Sequence, residues 1–395
     1  MYITMDEGER GELDTLLRGI RAQVHSHPEL SNREFETTKL VQRHLAALGL
    51  EPVELGLPTG AAALLRGGRP GPTVGLRADL DALPVTEQTG APYGSENEGV
   101  MHACGHDVHT SVLLGAAELL TKRREEIAGN ILFLFQPAEE AMVGARHVVE
   151  QGLFQRVKLS ALLGMHVWPQ LPRGEVGLRA GAFFAAVDNF RIVITGRGGH
   201  GSTPNLSRSP IGAGAALALA IPAIKAYDLP PTEPATVAVT LLQAGYCNNV
   251  IPDTCVLEGT LRGFDVELMA HLKTRIAEVV NGVAATYRTP ATIETLSDVP
   301  PLVLDDGMTQ ASLGYVGAVL PKSAFLPLFH AMASEDFALI SSEIPSAYFT
   351  VGAAVTDTDE HFAQHHPKAR FSDAELPLGA AAYAAVALGY IADHR

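Results

Sequence analysis

The order of buried strands and amphipathic helices constrains the fold of this chain more than any other sequence feature. Short apolar runs at 72–79, 130–135 and 161–165 alternate with segments at 108–124 and 144–153 whose apolar residues recur at helical spacing. Parallel neighbouring strands need a crossover between them, and that crossover is usually a helix. The alternation therefore predicts an α/β fold, with a mostly parallel sheet covered by helices on both faces.

The pattern changes at residue 182 and stays different as far as residue 298. In Asn189–Ile194, apolar and polar residues alternate as they do in a half-exposed antiparallel strand. A helix, two strands, a second helix and a last strand follow, which is the order of a split βαβ unit. We therefore predict that this segment is a smaller, inserted α+β domain of the ferredoxin-like type.

The α/β pattern returns after residue 298, with strands predicted at 325–329 and 347–351 and a last helix at 376–392. Two domains also suit a chain of 395 residues, because a single hydrophobic core stops growing at about 250–300 residues. The predicted domains are a first part of the catalytic domain (1–181), the inserted domain (182–298) and a second part of the catalytic domain (299–395).

The charge balance argues against two classes of partner. Acidic residues outnumber basic ones by 44 to 29, a net charge of −15 that repels nucleic acid and anionic membranes. The longest apolar run, Ile211–Ile224, is too short to span a bilayer and is predicted to be a buried helix. The N-terminus lacks the apolar core of a signal peptide, and three cysteines do not suit a disulfide framework. We expect a reduced, cytoplasmic protein.

Polar side chains stand where the predicted strands of the large domain end. Asp79 and Asp81 follow the first strand, Glu139 and Glu140 follow the second, and His166 follows the third. In open α/β sheets, ligands bind beyond the carboxyl ends of the strands. We therefore expect these groups to meet in one crevice.

A metal site is predicted immediately before the first helix of this domain. Four His or Cys residues, at 102, 104, 106 and 109, fall within eight positions. Buried imidazoles are costly without partners, so this density favours metal binding over simple packing. Thiolate, imidazole and carboxylate together suit zinc and similar metals. Cys104 and His106 are the expected ligands, and His102, Asp107 and His109 are expected to support them.

The neighbouring carboxylates Glu139 and Glu140 predict two separate roles. One binds metal, while the other takes a proton from the metal-bound water and returns it to the leaving nitrogen. Asp79 has two interpretations: a solvated charge at a strand end, or a carboxylate that orients a metal-bound imidazole.

One glycine-rich segment imitates a different chemistry. Residues 196–201 fit the dinucleotide spacing G-x-G-x-x-G, but Ser202-Thr-Pro204 follows where a helix should begin. The sequence also lacks the G-x-S-x-G elbow of serine hydrolases. These observations argue against a dehydrogenase and a serine hydrolase.

Seven motifs, in this order along nearly the whole chain, resemble those of the aminoacylase-like metallopeptidases. Within that group the closest likeness is to the N-acyl-amino-acid amidohydrolases, which include hippurate hydrolases, indole-acetyl-amino-acid hydrolases and carboxypeptidase-like members. The motifs are Leu76-Arg-Ala-Asp79-Leu-Asp81-Ala-Leu-Pro84, His102-Ala-Cys104-Gly-His106-Asp107, Gln136-Pro-Ala-Glu139-Glu140, Gly164-Met-His166, Gly199-His200-Gly, Asn249-Val-Ile-Pro252-Asp and Ser334-Glu-Asp336-Phe.

The resemblance implies two divalent metal ions per subunit. The sequence does not select among Zn, Mn, Co and Ni. It implies that Glu139 is the general acid/base. The late ligand lies in a His-x-Pro segment of the family, which selects His365 from His365-His366-Pro367 and leaves His366 as the alternative. The implied ligands are Cys104, His106, Glu140, His166 and His365.

The resemblance also implies that the inserted domain is a lid and the interface of a homodimer. His200 then helps to polarise the scissile carbonyl of a partner subunit's substrate. Asn249 and Arg262 resemble positions that bind the substrate carboxylate, for which a planar guanidinium is well suited.

We therefore expect a metal-dependent amidohydrolase that acts on N-acyl-amino acids or short peptides. A metallocarboxypeptidase or dipeptidase with the same chemistry is the alternative within enzymes. A non-catalytic metal- or peptide-binding protein is the alternative from another class, and Glu139 argues against it because such a protein needs no acid/base.

Overall fold

The computed structural model describes residues 5–320, 323–325, 330–374 and 376–394. It divides into two compact units, and along the chain the second interrupts the first. Residues 1–181, 303–329 and 339–395 belong to the first unit, and Ala182–Leu302 and His330–Ala338 belong to the second.

The helices and strands are named in chain order. The α-helices are α1 (Glu7–Ser26), α2 (Phe35–Ala47), α3 (His106–Thr121), α4 (Gly144–Glu150), α5 (Leu153–Val157), α6 (Ile211–Asp228), α7 (Val266–Tyr287), α8 (Asp306–Val319), α9 (Phe337–Ser341) and α10 (Leu376–Asp393). The strands are β1 (Glu51–Val53), β2 (Ala61–Arg66), β3 (Arg69–Asp79), β4 (Ala128–Gln136), β5 (Leu159–Trp168), β6 (Val176–Leu178), β7 (Gly181–Phe184), β8 (Ala186–Thr195), β9 (Gly199–His200), β10 (Ala235–Ala244), β11 (Val250–Ile251), β12 (Thr254–Gly263), β13 (Ala291–Val299), β14 (Leu302–Leu304), β15 (Ser323–Phe325) and β16 (Ser346–Gly352).

The first unit is built on a sheet of eight strands in the order β1-β2-β4-β3-β5-β16-β6-β15. The central strands β4, β3, β5 and β16 are parallel to one another, while β2 joins β4 and β6 joins β16 in antiparallel fashion. Asp79 at the end of β3 lies opposite Gln136 at the end of β4. The predicted α/β fold with a mostly parallel sheet is confirmed, and its strands end at a shared edge.

The buried helix α10 packs closely on α3 and holds it in place. Nearly all of α10 is buried, and it packs on both α3 and β3. A Cβ atom on Gly379 of α10 would lie 2.9 Å from Val112 Cγ1 of α3, so only a glycine allows this approach. Although α10 is apolar and long enough to cross a membrane, 83% of it is buried, as in a core helix. Because α3 begins at His106, this packing also fixes the predicted metal-binding segment.

The second unit contains a four-stranded antiparallel sheet in the order β10-β12-β8-β13. Its elements follow the chain as β8, α6, β10, β12, α7 and β13. Apolar residues of α6 and α7 share one core with this sheet, among them Leu217, Ile221, Leu272 and Ile276. The sequence predicted this split βαβ arrangement, and the sheet order is that of a ferredoxin-like fold.

One helix of the second unit differs from its prediction. The run 211–224 is not a buried helix, because α6 extends to Asp228 and only about a quarter of it, 28%, is buried. Leu219 is 79% exposed on it. The prediction was wrong because an apolar run rich in Gly and Ala does not reveal which face packs. Like α10, α6 is long enough and apolar enough in composition to cross a membrane.

The unit boundaries differ from the expected ones at a segment that returns to the second unit. The sequence placed 299–395 wholly in the catalytic domain, whereas 299–302 and 330–338 lie in the second unit. Backbone hydrogen bonds hold the latter segment: the Ala331 N–H donates to Phe183 O at 3.1 Å, and the Ala185 N–H donates to Ala331 O at 3.1 Å. Such long-range pairing leaves no local mark in the sequence.

Other differences are local. The helix predicted at 108–124 begins at His106 and ends at Thr121, and the one at 144–153 is two helices, separated at Gly152 by a left-handed φ of 64°. α1 and α2 were not predicted as elements. Of the predicted strand 325–329, Phe325 ends β15 and 326–329 lie outside the described residues.

Candidate metal centre

The segment before α3 carries the two ligands expected from the sequence. Gly105 has a φ of 90°, and a Cβ there would lie 2.6 Å from Val167 Cγ2, so the turn needs glycine. This turn places Cys104 and His106 in one buried pocket. The Nδ1 atom of His106 lies 2.8 Å from the backbone O of Asp81, which leaves Nε2 directed elsewhere.

The segment after β4 carries the two glutamates. Ala138 has a φ of 56°, an uncommon backbone conformation for a residue other than glycine. The Glu139 N–H donates to Asp81 Oδ1 at 3.1 Å, and the Glu140 N–H donates to Asp81 Oδ2 at 2.9 Å. From His106 Nε2, Glu139 Oε2 lies 4.0 Å away and Glu140 Oε1 lies 3.9 Å away.

His166 near the end of β5 completes the buried part of the cluster. Its Nδ1–H donates to Val167 O at 2.7 Å, so its Nε2 is the atom available to a metal. That Nε2 lies 3.4 Å from Cys104 Sγ. A thiol and an imidazole at this distance suit a shared cation.

The late histidine closest to the cluster is His365. Its N–H donates to Ala103 O at 2.9 Å, which ties it to the Cys104 segment, and its Nε2 lies 3.4 Å from Glu140 Oε1. The ring of His366 instead stacks on Phe362 at 4.3 Å, and its Nδ1 accepts the Lys368 N–H. The structure therefore brings His365, and not His366, to the other donors.

The donor atoms of these residues form overlapping groups in which every pair lies within 4.8 Å. Nε2 of His106 and Oε1 of Glu140 are buried and have no hydrogen-bond partner within the described part of the chain. Their separation of 3.9 Å suits a cation with ligand distances of about 2.0–2.2 Å to each. The residues present therefore fit a metal centre. The groups are Cys104/His106/His166, Cys104/Glu140/His365 and His106/Glu139/Glu140.

The charges of the cluster suit the binding of a cation. Burial, opposed by His106 and aided by Asp81, raises the pKa of Glu140 to about 7. Burial alone lowers the pKa of His106, but the carboxylates Asp79 and Asp81 outweigh it and raise that pKa to about 10. Several carboxylates thus share one buried space, and a bound cation compensates such a concentration of negative charge.

Asp79, for which the sequence left open a solvated charge or a carboxylate that orients a metal-bound imidazole, is buried, and its Oδ2 lies 3.8 Å from His106 Nε2. Its Oδ1 lies 2.6 Å from His109 Nδ1, and its Oδ2 accepts from Arg77 at 2.8 Å. His109 in turn accepts the Val167 N–H through Nε2 at 3.0 Å. Both ring nitrogens of His109 therefore have hydrogen-bond partners, and His109 links Asp79 to the end of β5.

A second buried network holds the start of α3 from behind. Asp107 Oδ2 accepts from Arg21 Nε at 2.8 Å and lies 2.9 Å from His25 Nδ1. Burial lowers the pKa of His25, but the charge of Asp107 outweighs it and raises that pKa to about 9. His102 is also buried, and burial lowers its pKa to about 4. These contacts agree with the supporting role that the sequence predicted for Asp107.

Two of the expected substrate-binding residues lie together in the second unit. Val250 of β11 pairs with His200 of β9, and the Gly201 N–H donates to Asn249 O at 2.8 Å. Both His200 and Asn249 are exposed. His200 Nδ1 accepts the Ser202 N–H at 3.1 Å, so its Nε2 points away from this turn.

Arg262 lies near the other end of β12, opposite Val187 of β8. It is half-buried, and its Nη1 donates to Met332 O at 2.7 Å and Ser334 Oγ at 3.1 Å. It therefore does not share the turn of His200 and Asn249, and one of its guanidinium nitrogens also binds the returning segment 330–338.

Sequence reasoning left several of these side chains without a role. Asp81 stands inside a motif, but the motif does not name its partners. Glu34 belongs to none of the motifs, yet its Oε1 accepts the Ala138 N–H at 2.8 Å. Arg21 and His25 are 86 and 82 residues from Asp107, so only the fold connects them.

Comparison with known proteins extends this chemistry to a family. The model of peptidase family M20/M25/M40 matches residues 75–389. The chain is 40% identical over 355 residues to an N-acetyl-L-cysteine deacetylase of Bacillus subtilis, covering 90% of this chain and 83% of that protein. It is 34% identical to thermostable carboxypeptidase 2 of Saccharolobus solfataricus, covering 96% of each chain.

A solved structure supports the same conclusion. The Bacillus subtilis dinuclear metal-binding peptidase of family M20 matches with a TM-score of 0.83 and 34% identity, over 97% of this chain and 99% of that one. The residues matched by the family model, 75–389, include Cys104, His106, Glu139, Glu140, His166 and His365. The chain is thus a metal-dependent amidohydrolase, and it belongs to peptidase family M20/M25/M40.

Proposed function

We propose that this enzyme hydrolyses the amide bond of N-acyl-amino acids or short peptides, with Glu139 as its general acid/base. The position of Glu139 carries the proposal: its Oε2 lies 4.0 Å from His106 Nε2, and Glu139 shares one group of donor atoms with His106 and Glu140, whereas the two groups that contain Cys104 do not include it. Glu139 is 5% exposed. A buried carboxylate at this place is suited to proton transfer, which contributes about 10²–10⁴-fold to rate.

The ligand set proposed for two divalent ions combines the two donor groups that contain Cys104. When bound, the metals polarise the scissile carbonyl and lower the pKa of the attacking water. Zn, Mn, Co and Ni are all proposed, because site geometry and metal availability, rather than raw affinity, select among them. The proposed ligands are Cys104, His106, Glu140, His166 and His365.

The chain's own residues supply the proton chemistry. Glu139 Oε2 takes the proton of the attacking water and later gives it to the amide nitrogen, so that the amine leaves neutral. Asp79 keeps His109 in the tautomer that accepts the Val167 N–H, and so holds His166. We assign Asp79 this positioning role within the catalytic set.

Recognition of the substrate is assigned to the second unit. We propose that His200 polarises the scissile carbonyl and that Asn249 and Arg262 bind the substrate carboxylate, with the unit acting as lid and homodimer interface. The exposure of His200 and Asn249 supports contact with a ligand or a partner subunit. Burial lowers the pKa of Arg262, yet the guanidinium keeps its charge for a carboxylate.

The acyl group of the substrate is open to two proposals. The relative that removes an acetyl group favours a small acyl group, and the carboxypeptidase relative favours a peptidyl acyl group with the same chemistry. Higher identity to the deacetylase makes deacylation our first proposal. We also propose a cytoplasmic enzyme without nucleic-acid or membrane partners, which the net charge of −15 and three cysteines that form no disulfide support.

The proposal is tested with purified enzyme, its metal content measured before use. A panel of N-acetyl-amino acids, N-benzoyl-amino acids and dipeptides, each compared with its C-terminal amide, reveals the acyl preference and the need for a carboxylate. Glu139→Gln should lower kcat by about 10³-fold with metal content unchanged, while Glu150→Gln at an exposed position serves as the matched control. Unchanged turnover in the Glu139→Gln enzyme would refute the mechanism.

A further inference from the structure

The carboxylate of Asp81 binds three residues of the proposed machinery at once. Its Oδ1 accepts the Glu139 N–H at 3.1 Å, and its Oδ2 accepts the Glu140 N–H at 2.9 Å. The Nδ1 atom of His106 lies 3.3 Å from Oδ1 and 2.8 Å from the backbone O of Asp81. One residue thus contacts the proton carrier and two of the metal ligands.

The backbone after β4 forms a concave arrangement of amides that these carboxylates fill. The Ala138 N–H donates to Glu34 Oε1 at 2.8 Å, so three successive N–H groups, from 138 to 140, point at two buried carboxylates. Ala138 is in the left-handed region, with a φ of 56°. Successive amides that include a left-handed residue form an anion-binding concavity, and here the anions belong to the protein itself.

The burial of Asp81 makes its geometry stringent. The residue is 1% exposed, and Ser31 Oγ adds a fourth contact by donating to Oδ2 at 2.6 Å. A buried carboxylate loses several kcal/mol of hydration and persists only where hydrogen bonds replace that water. Any shift of the segment 138–140 therefore breaks bonds that water cannot replace, and the side chains of Glu139 and Glu140 stay where the backbone places them.

The neighbouring aspartate acts on a different part of the centre. Asp79 binds Arg77 and His109, and His109 binds the Val167 N–H beside His166. The two buried aspartates after β3 therefore have different partners: Asp79 binds His109 beside His166 and lies 3.8 Å from His106 Nε2, whereas Asp81 binds the Nδ1 side of His106 and the amides of both glutamates.

We infer that Asp81 is a positioning residue that fixes the proton carrier Glu139 and the ligands His106 and Glu140 at their positions relative to one another. This inference rests on the proposed function, because it takes the roles of those three residues from it. A displacement of about 1 Å of a catalytic group costs about 10²-fold in rate. Asp81 thus acts on catalysis and on metal affinity together, through one carboxylate.

The substitution Asp81→Asn tests this inference, because it keeps the shape of the side chain and replaces one acceptor oxygen by a donor that faces a backbone N–H. We expect kcat to fall about 10–100-fold with little change in KM, and metal affinity to fall by a similar factor. Metal affinity is measured without substrate, by competition of the apo-protein with a chromophoric chelator for zinc or manganese.

Asp188→Asn is the matched control, since Asp188 is a buried carboxylate of the second unit whose Oδ2 lies 2.8 Å from Lys273 Nζ. It should lower stability but leave kcat and metal affinity unchanged. Ser31→Ala, which removes only the hydroxyl on Oδ2, should shift kcat and metal affinity in the same direction as Asp81→Asn but less. If Asp81→Asn does not fold, the kcat and metal affinity of Ser31→Ala test the inference in its place.

Wild-type metal affinity and kcat in Asp81→Asn would overturn the inference, as would equal losses in Asp188→Asn. For Ser31→Ala, unchanged values of both quantities count against it in the same way. If the wild-type enzyme binds metal but cleaves no amide of the panel, the proposed function fails. The chelator titration then still decides whether Asp81 positions His106 and Glu140.

Discussion

The metal centre of the first unit and the substrate residues proposed in the second unit differ in how firmly their surroundings hold them. His106 and Glu139 are 1% and 5% exposed, and their positions are set by hydrogen bonds from neighbouring buried groups. His200 and Asn249 are exposed on a short two-stranded turn. Burial makes every unpaired polar atom costly, so the buried side chains are fixed before a ligand arrives. Exposed side chains pay no such cost and are free to follow a ligand or a partner subunit.

The largest expected effect comes from breaking the buried region at a ligand. His106→Ala removes an imidazole whose Nε2 faces Glu140, and we expect activity to fall by at least about 10³-fold. Metal content, measured by elemental analysis after gel filtration, should fall because the cation loses the imidazole as a ligand. His27→Ala, at a side chain 58% exposed, is the control and should change neither quantity. Full metal content in the His106→Ala protein contradicts the assigned ligand set.

A smaller effect is expected in the second unit, without loss of metal. His200→Ala should lower kcat by about 10²-fold, the usual cost of losing one donor to a developing oxyanion, while metal content stays at the wild-type value. If His200 acts in a partner subunit's site, mixing His200→Ala with Glu139→Gln subunits restores activity, because one site of each mixed dimer is then intact.

The control for that experiment is His200→Ala subunits mixed among themselves, which should keep the lowered kcat of that variant. Absence of recovery in mixed dimers, identified by two different affinity tags, removes the proposal that the second unit works across a homodimer. Loss of metal in His200→Ala would instead erase the contrast between the two regions.

The smallest expected effect concerns stability and its dependence on pH. The folded-state pKa of His25 is raised from 6.5 to about 9 by Asp107, so its ion pair stabilises the fold fully below pH 6.5 and loses that contribution as the pH rises through 9. At one pKa unit per 1.36 kcal/mol, the contribution is on the order of 1–3 kcal/mol.

Chemical unfolding of the metal-loaded wild type and of His25→Gln, at pH 6, 7.5 and 9.5, measures this contribution. We expect a destabilised variant at pH 6 and a difference that shrinks by pH 9.5. A difference that is constant across this range means that His25 stabilises by packing alone. Lys39→Gln, at an exposed position of α2, is the control for a lost surface charge and should show no such pH dependence.

The residues at the ends of the parallel strands were predictable because their chemistry is local. Cys104 and His106 share one turn, Glu139 and Glu140 are adjacent, and strand ends in parallel sheets meet at one edge. The family-like spacing that selected His365 agrees with its position beside Glu140, while the stacking of His366 on Phe362 has no signal in the sequence. The boundary at 330–338 and the exposed face of α6 were likewise beyond pattern reading, because both depend on what lies opposite in the folded chain.

The sequence by itself predicted the parallel sheet, the split βαβ insertion and the metal-binding chemistry, since periodicity and donor type are properties of neighbouring residues. The resemblance of its seven motifs to a known family predicted the class of reaction. Only the tertiary structure decided which aspartate supports which donor. Asp79 and Asp81 are two positions apart and equally acidic, yet one binds His109 and Arg77 while the other binds the amides of Glu139 and Glu140. The reason is physical: a carboxylate's role follows from the hydrogen-bond donors that surround it after burial, and residues from distant parts of the chain supply those donors.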